Sequence, residues 1–121
     1  MKSLEDLLIR ARGTVETIPP GAADVLILDV REPAELAEAG RIADALHVPR
    51  GLLETHADPD GPAAVADLTD RRGTDATVDV VCASGVRAAL VAETLHQMGY
   101  HARVIDGGIA EWKKAGLPVE A

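Results

Sequence analysis

Continuous apolar runs alternate with stretches of helical periodicity along this chain. Three runs, Val25 to Val30, Thr77 to Cys82 and Ala102 to Ile105, are short and almost uninterrupted by polar residues. Such runs are typical of strands that are buried on both faces of a parallel sheet. We therefore expect at least these three segments to be strands of one sheet.

Three other segments have the pattern of helices. Residues 3–12 begin with Ser3, a residue that caps helices, and end before Gly13, while residues 33–39 begin with a proline and residues 86–98 end before Gly99. Strands that alternate with helices predict an α/β domain with four or five parallel strands. Residues 54–75 are rich in Asp, Pro and Gly, and we interpret them as a surface excursion in which only residues 63–68 have a helical pattern.

Length and composition narrow the possible functions. The 121 residues suit one domain over 1–121, and 47% hydrophobic residues exclude general disorder. Aromatic residues are only 2% of the chain, and the net charge is −8. Both features argue against nucleic acid as a partner, and the charge also argues against anionic membrane surfaces.

Cysteine and histidine usage bears on location and on metal binding. Cys82 is the only cysteine, so an internal disulfide and a multi-cysteine metal site are excluded, and the four histidines have no metal-ligand spacing. The first residues carry acids where a signal peptide needs bases, and no apolar run reaches transmembrane length. We expect a cytoplasmic protein with no metal and no cofactor.

The strongest candidate for chemistry follows the second apolar run. In parallel sheets, ligands bind outside the carboxyl ends of the strands, where the segment Cys82 to Arg87, here called the cysteine loop, is expected. A lone cysteine there is most often a small buried hydrophobic residue. Ser84 and Gly85, however, permit a tight bend, and Val86 opens a helix whose positive end favours the nucleophilic thiolate. The amides of such a loop could also hold an anionic product on the sulfur.

Three further residues border this loop or the neighbouring strand end. Arg87 could bind an incoming anion, orient the loop or be a solvated helix residue, and we favour a role in the site. Asp29 ends the first apolar run, where a buried carboxylate usually accepts hydrogen bonds from loop amides, a structural role. Arg31 could either pair with Asp29 or point toward the mouth of the site.

Three blocks in this order resemble the single-domain rhodanese-like sulfurtransferases. They are Leu28-Asp29-Val30-Arg31-Glu32-Pro33 with Glu35-Leu36, then Cys82-Ala83-Ser84-Gly85-Val86-Arg87-Ala88, and finally Asp106-Gly107-Gly108-Ile109-Ala110-Glu111-Trp112 with Ala115-Gly116-Leu117-Pro118-Val119. The resemblance implies a three-layer α/β fold, with a central parallel sheet of about five strands and helices on both faces. It also makes the cysteine loop the active site.

The chemistry implied by this resemblance is sulfane sulfur transfer through a persulfide on Cys82. Ala83, Ser84, Gly85 and Val86 would surround the persulfide, with Arg87 beside it. The donor would be thiosulfate or a persulfide, and the acceptor a thiol or cyanide, or a sulfur-relay protein. No metal or organic cofactor is implied.

Two departures from the family pattern affect this interpretation. The stretch 40–45 differs from the Gly-His-Ile-Pro-Gly-Ala of many relatives, but that block is structural and leads into a strand. Position 83, often basic in members that use thiosulfate, is Ala83 here, so a dianionic donor is expected to bind weakly and a persulfide donor is favoured.

Two other functions remain as alternatives. One is a non-catalytic rhodanese-like module that docks a partner, regulates or senses redox state, suggested by Ala83 and the acidic composition. The other is phosphatase or arsenate chemistry, which is disfavoured because four residues separate Cys82 from Arg87, whereas cysteine-dependent phosphatases have five.

Overall fold

A parallel sheet forms the centre of the molecule. The computed structural model describes residues 1–24 and 26–121, and these form a five-stranded sheet with the order β1-β5-β4-β2-β3. Every pair of neighbouring strands is parallel, which confirms the predicted fold class. The strands are β1 (Glu16–Ile18), β2 (Ile27–Asp29), β3 (Leu46–His47), β4 (Thr77–Val81) and β5 (His101–Ile105).

Six α-helices in the described residues surround the sheet. They are α1 (Leu4–Thr14), α2 (Pro33–Ala39), α3 (Leu53–Ala57), α4 (Ala66–Thr69), α5 (Val86–Gln97) and α6 (Gly108–Lys114). The three helices expected from periodicity are confirmed as α1, α2 and α5. Ser3 caps α1 as expected, because its hydroxyl accepts a hydrogen bond from Asp6 N at 3.1 Å. Within the described part of the chain, no helix is both long and apolar enough to cross a membrane.

Apolar side chains on the two faces of the sheet pack into two separate cores. Val80 belongs to the larger core, which includes side chains of α1, α3, α4 and α5, while its neighbour Val81 belongs to the smaller core with Trp112 of α6. Consecutive residues of a strand point to opposite faces, so an uninterrupted apolar run supplies both cores. This explains why two apolar residues, Val80 and Val81, follow each other in β4, and it confirms helices on both faces.

Some parts of the chain differ from what the hydrophobic pattern predicts. Strand β1 is missed because it has three residues, two of them exposed. Residues 54–75 are not purely a surface excursion, since Ala57 and Leu68 are fully buried. Helix α4 begins at Ala66, later than the helical pattern of 63–68 suggests. Of the first apolar run, Val25 lies outside the described residues.

The parallel arrangement brings the carboxyl ends of all five strands to one edge of the sheet. At this edge, Asp106 N donates a hydrogen bond to Ile18 O at 2.8 Å, which ties the end of β5 to the end of β1. Val30 N donates in turn to Val81 O at 3.1 Å, which ties the segment after β2 to the end of β4. The cysteine loop therefore begins between two neighbouring segments, after β2 and after β5, that backbone hydrogen bonds hold in place.

Candidate active site

The sulfur atom of Cys82 lies inside the cysteine loop at the start of α5. Its Sγ accepts hydrogen bonds from Gly85 N at 2.9 Å and from Ala88 N at 3.4 Å. The residue is 1% exposed. Backbone N–H groups at a helix N-terminus favour negative charge. The local geometry therefore favours an anionic sulfur, whether a thiolate or a product formed on it.

Glycine at position 85 allows this loop to turn into the helix. Gly85 caps α5 with φ of 102° and ψ of −10°, in the left-handed region that side chains other than glycine rarely adopt. A Cβ atom at this position would lie no closer than 3.5 Å to a neighbouring heavy atom, at Gly107 N. The requirement for glycine here comes from the backbone angle that turns N–H groups toward Sγ, and crowding adds little to it.

The turn between β5 and α6 supports the cysteine loop from beneath. Ile109 N donates a hydrogen bond to Cys82 O at 2.8 Å. A Cβ atom on Gly108 would lie 2.3 Å from Cys82 O and 2.7 Å from the carbonyl carbon of Ala83. Only glycine permits so close an approach of two backbones, and this explains Gly108 in the third block of the sequence.

Arg87, at the end of the loop, forms a two-pronged ion pair with Glu35 of α2. Its Nη1 and Nη2 donate to the two carboxylate oxygens of Glu35, each at 2.7 Å. The side chains are 35% and 33% exposed. Glu35 also accepts a hydrogen bond from Glu32 N at 2.8 Å. The positive charge of Arg87 is thus directed at a carboxylate of the protein itself.

This pairing changes the acidity of both groups. Hydrogen bonds from Arg87 lower the pKa of Glu35 from 4.5 to about 2, against the opposing effect of burial. The hydrogen bonds to Glu35 raise the pKa of Arg87 above its ordinary value, and the nearby Cys82 acts in the same direction. Both partners remain charged at all pH values near neutral, so the attraction between them persists throughout that range.

Asp29 and Arg31 pair with each other in the protein interior. Arg31 donates from Nη2 at 2.9 Å and from Nε at 3.1 and 3.2 Å to the carboxylate of Asp29, and both residues are 1% exposed. Arg31 Nη2 also donates to Gly40 O at 2.9 Å. Of the two roles left open for Arg31, the structure places its side chain in the pairing position and away from solvent.

The remaining residues of the predicted site contribute unequally. Ser84 is exposed, and Ala83 and Val86 are half-buried. Among the described residues, the hydrogen bonds to Sγ come from Gly85 and Ala88, and none from these three. No cluster of three or more His, Cys, Asp or Glu side chains suited to a metal ion occurs in residues 1–24 and 26–121.

Sequence reasoning missed two contributors to this geometry. Glu35 lies 52 residues from Arg87, and its position within an ordinary helix gives no sign that it reaches the cysteine loop. The N–H of Ala88 also escaped attention, although a residue in the first turn of α5 is placed to donate to an anion at the helix start. That general rule was a usable signal for Ala88.

The chain matches a known domain family and is similar in sequence to a curated protein. A model of the rhodanese-like domain matches residues 18–115, a range that contains every residue of the site described above. A protein of Allochromatium vinosum named as a sulfurtransferase is 37% identical over 100 residues, covering 81% of this chain and 80% of that protein.

One further relative and one solved structure are also similar to this chain. A putative thiosulfate sulfurtransferase of Mycobacterium tuberculosis is 33% identical over 119 residues, and this chain spans 42% of its length. A solved structure from Rhodopseudomonas palustris, described as a protein of unknown function and possible tyrosine phosphatase, is 32% identical with a TM-score of 0.89. The match covers 99% of this chain and 96% of that one.

Proposed function

Because the chain belongs to the rhodanese-like domain family, we propose that it is a sulfurtransferase in which Cys82 carries a sulfane sulfur as a persulfide. The observation that carries the proposal is the pair of N–H groups, from Gly85 and Ala88, that donate to Sγ at the start of α5. They stabilise the attacking thiolate and equally the anionic persulfide that replaces it.

The loading step uses the thiolate as nucleophile. Sγ of Cys82 attacks the outer sulfur of the donor, a new S–S bond forms, and the original bond of that sulfur breaks. With thiosulfate, sulfite leaves with the bonding electron pair. With a persulfide donor, a thiolate leaves instead. The persulfide on Cys82 then returns the sulfur to an acceptor thiolate or cyanide, which restores the Cys82 thiolate without net oxidation.

The charges around the loop favour a persulfide as donor over thiosulfate. Position 83 is the uncharged Ala83, and the guanidinium of Arg87 is paired at 2.7 Å with both oxygens of Glu35. A dianion approaching the loop therefore meets little uncompensated positive charge, and the protein as a whole carries −8. A donor of lower charge avoids this repulsion.

Intact-protein mass spectrometry tests the proposal. Wild type and Cys82→Ser are each incubated with thiosulfate and, separately, with a low-molecular-weight persulfide. The expected result is a mass gain of one sulfur in the wild type, reversed by cyanide and absent in the variant. Circular dichroism of both proteins is the control for folding. No mass gain from either donor, in a folded protein with a titratable thiol, would favour the non-catalytic module.

Phosphatase chemistry is a second candidate because of the description of the Rhodopseudomonas palustris structure. The four residues between Cys82 and Arg87 make a smaller loop than a phosphoryl group needs. Arg87, which would have to bind the phosphoryl oxygens, is held by Glu35. Turnover of an aryl phosphate by the wild type, lost in Cys82→Ser, would favour this candidate over sulfur transfer.

A further inference from the structure

A pocket of about 200 Å³ borders the cysteine loop where α1, β1 and β5 approach each other. Ser84 and Gly85 of the loop form one side of it. Arg12, Thr17 and Asp106 bring a cation, a hydroxyl and an anion to the other sides. Ala89 and Val104 add apolar surface, so the lining is mixed, and it lies directly against the loop that holds the sulfur.

The charged side chains of this pocket have no partner within the described residues. Arg12 is the one arginine in the described part of the chain whose guanidinium forms neither a hydrogen bond nor an ion pair. Asp106 contributes its N–H to Ile18 O, but its carboxylate has no partner in the same residues. The other arginines are engaged through their side chains: Arg10, Arg31, Arg41, Arg50, Arg71, Arg72, Arg87 and Arg103.

Opposite charges that line one pocket without pairing suit a ligand that carries both charges. Arg12 and Asp106 form no ion pair with each other in the described structure, so each remains available to a charged group of the ligand. The hydroxyls of Thr17 and Ser84 add donors and acceptors. A volume of about 200 Å³ is below the roughly 300–1,000 Å³ of pockets for drug-sized ligands and suits a small metabolite.

One residue of the cysteine loop contacts both the pocket and the reacting sulfur. Gly85 lines the pocket and donates its N–H to Cys82 Sγ at 2.9 Å. A small ligand held by its charged groups between Arg12 and Asp106 would therefore contact Gly85, the residue whose N–H donates to Sγ. Cys82 itself does not line the pocket, so the thiol of such a ligand would have to reach past Gly85 to a sulfur carried by Cys82.

We propose that this pocket binds the sulfur acceptor, and that the acceptor is a small amino-acid thiol. Its carboxylate pairs with Arg12 and its ammonium group with Asp106. The inference rests on the proposed function, because the acceptor takes its sulfur from the Cys82 persulfide. The acceptor thiolate attacks the outer sulfur, the S–S bond to Cys82 breaks, and the electron pair returns to Sγ. The products are the acceptor persulfide and the Cys82 thiolate.

The test compares three acceptors with the persulfide-loaded protein. Cysteine carries both charged groups, cysteamine lacks the carboxylate, and 3-mercaptopropionate lacks the ammonium group. We expect transfer to cysteine to be fastest, by roughly two- to fivefold per charged group, as for a solvent-exposed ion pair. Equal rates for all three acceptors, after correction for thiol acidity, would overturn the proposal.

Variants then assign each charge to its residue. Arg12→Gln is expected to slow transfer to cysteine and 3-mercaptopropionate more than to cysteamine, while Asp106→Asn slows transfer to cysteine and cysteamine more than to 3-mercaptopropionate. Arg10→Gln, on the same helix but paired with Glu93, and the exposed Asp75→Asn are the matched controls. Equal slowing of all acceptors, or no slowing, would contradict the assignment.

A binding measurement separates failure of this inference from failure of the proposed function. Cys82→Ser, labelled with nitrogen-15, is titrated with serine, an unreactive analogue of cysteine, and amide shifts are expected at Thr17, Ser84 and Asp106. Shifts that Arg12→Gln removes support the pocket even where Cys82 takes up no sulfur. A protein that loads sulfur normally but shows no such shifts refutes the pocket and leaves the sulfurtransferase proposal standing.

Discussion

Two pairs of arginine and carboxylate near the cysteine loop have the same chemistry and different surroundings. In the pair Asp29–Arg31 both side chains are 1% exposed, whereas in Glu35–Arg87 they are 33% and 35% exposed. Both have two-pronged geometry with distances near 2.7 to 3.2 Å. Burial is therefore the main difference between them.

This difference separates a structural pair from a pair that belongs to the site. A buried charge that loses its partner costs several kcal/mol, so Asp29 and Arg31 depend on each other for folding. A half-exposed pair is screened by water and contributes little to stability. Glu35–Arg87 is accordingly better placed to set the charge that a sulfur donor meets than to hold the fold together.

Breaking the buried pair is expected to have the largest effect. Asp29→Asn leaves the guanidinium of Arg31 buried without a counter-charge, and we expect the free energy of unfolding to fall by about 3–5 kcal/mol. Denaturant unfolding measures this loss, with Asp75→Asn, at an exposed aspartate, as the control. A loss below 1 kcal/mol would contradict the structural role given to this pair.

Disturbing the close backbone contact between Gly108 and the cysteine loop is expected to have the second largest effect. Gly108→Ala places a Cβ atom 2.3 Å from Cys82 O at a φ of +61°, and we expect a loss of about 2–4 kcal/mol. Gly116→Ala is the matched control, because its φ is +75° but nothing lies within 4 Å of the new atom. The control should lose only about 1–2 kcal/mol, from the backbone angle alone. Equal losses would show that the loop does not depend on this close approach.

Releasing Arg87 should change the choice of donor. Glu35→Gln removes the negative partner, so the loop presents an uncompensated guanidinium to a dianion. We expect loading by thiosulfate, relative to loading by a persulfide, to rise roughly two- to fivefold, and the gain to shrink at high salt. Glu38→Gln changes the net charge equally on the same helix and serves as control. A similar rise in both variants would mean that overall charge, and not Arg87, sets donor choice.

Acid titration should reveal the smallest effect. The pKa of Glu35 is lowered to about 2 in the folded protein, from 4.5. A lowered pKa stabilises the fold above the unfolded value, and this contribution is lost as pH falls from about 4.5 toward 2. With a third of each side chain exposed, we expect it to be only about 1 kcal/mol. The stability difference between wild type and Glu35→Gln should therefore disappear in this range, and a constant difference would contradict the assignment.

The strand, loop and helix around Cys82 can be predicted from the sequence, whereas two of the strands and several contacts cannot be predicted from local pattern. The apolar run before Cys82 and the bend at Gly85 indicate a strand, a loop and a helix from local pattern alone. Strand β1 is too short and too exposed to produce such a pattern. Strand β3 was expected only through the family resemblance, since its two residues are half-buried.

The contacts that the sequence does not predict join residues that are distant along the chain. Glu35 pairs with Arg87 across 52 residues. Arg12 and Asp106 line one pocket, without pairing, through the packing of separate elements. Side-chain charge is visible in a sequence, but pairing depends on the three-dimensional position of each group. The same limit holds for Arg31. The sequence allows two orientations of its side chain, and the structure shows that it is buried and paired with Asp29.

A single-turnover measurement tests the central claim most directly. Protein loaded with sulfur is freed of donor by gel filtration and mixed with cyanide, and thiocyanate is counted against protein. We expect one thiocyanate per molecule of wild type, with one free thiol restored at Cys82. We expect no thiocyanate from Cys82→Ser treated in the same way. Thiocyanate from the variant, or sulfur that remains on the wild type after cyanide treatment, would contradict a persulfide carried by Cys82.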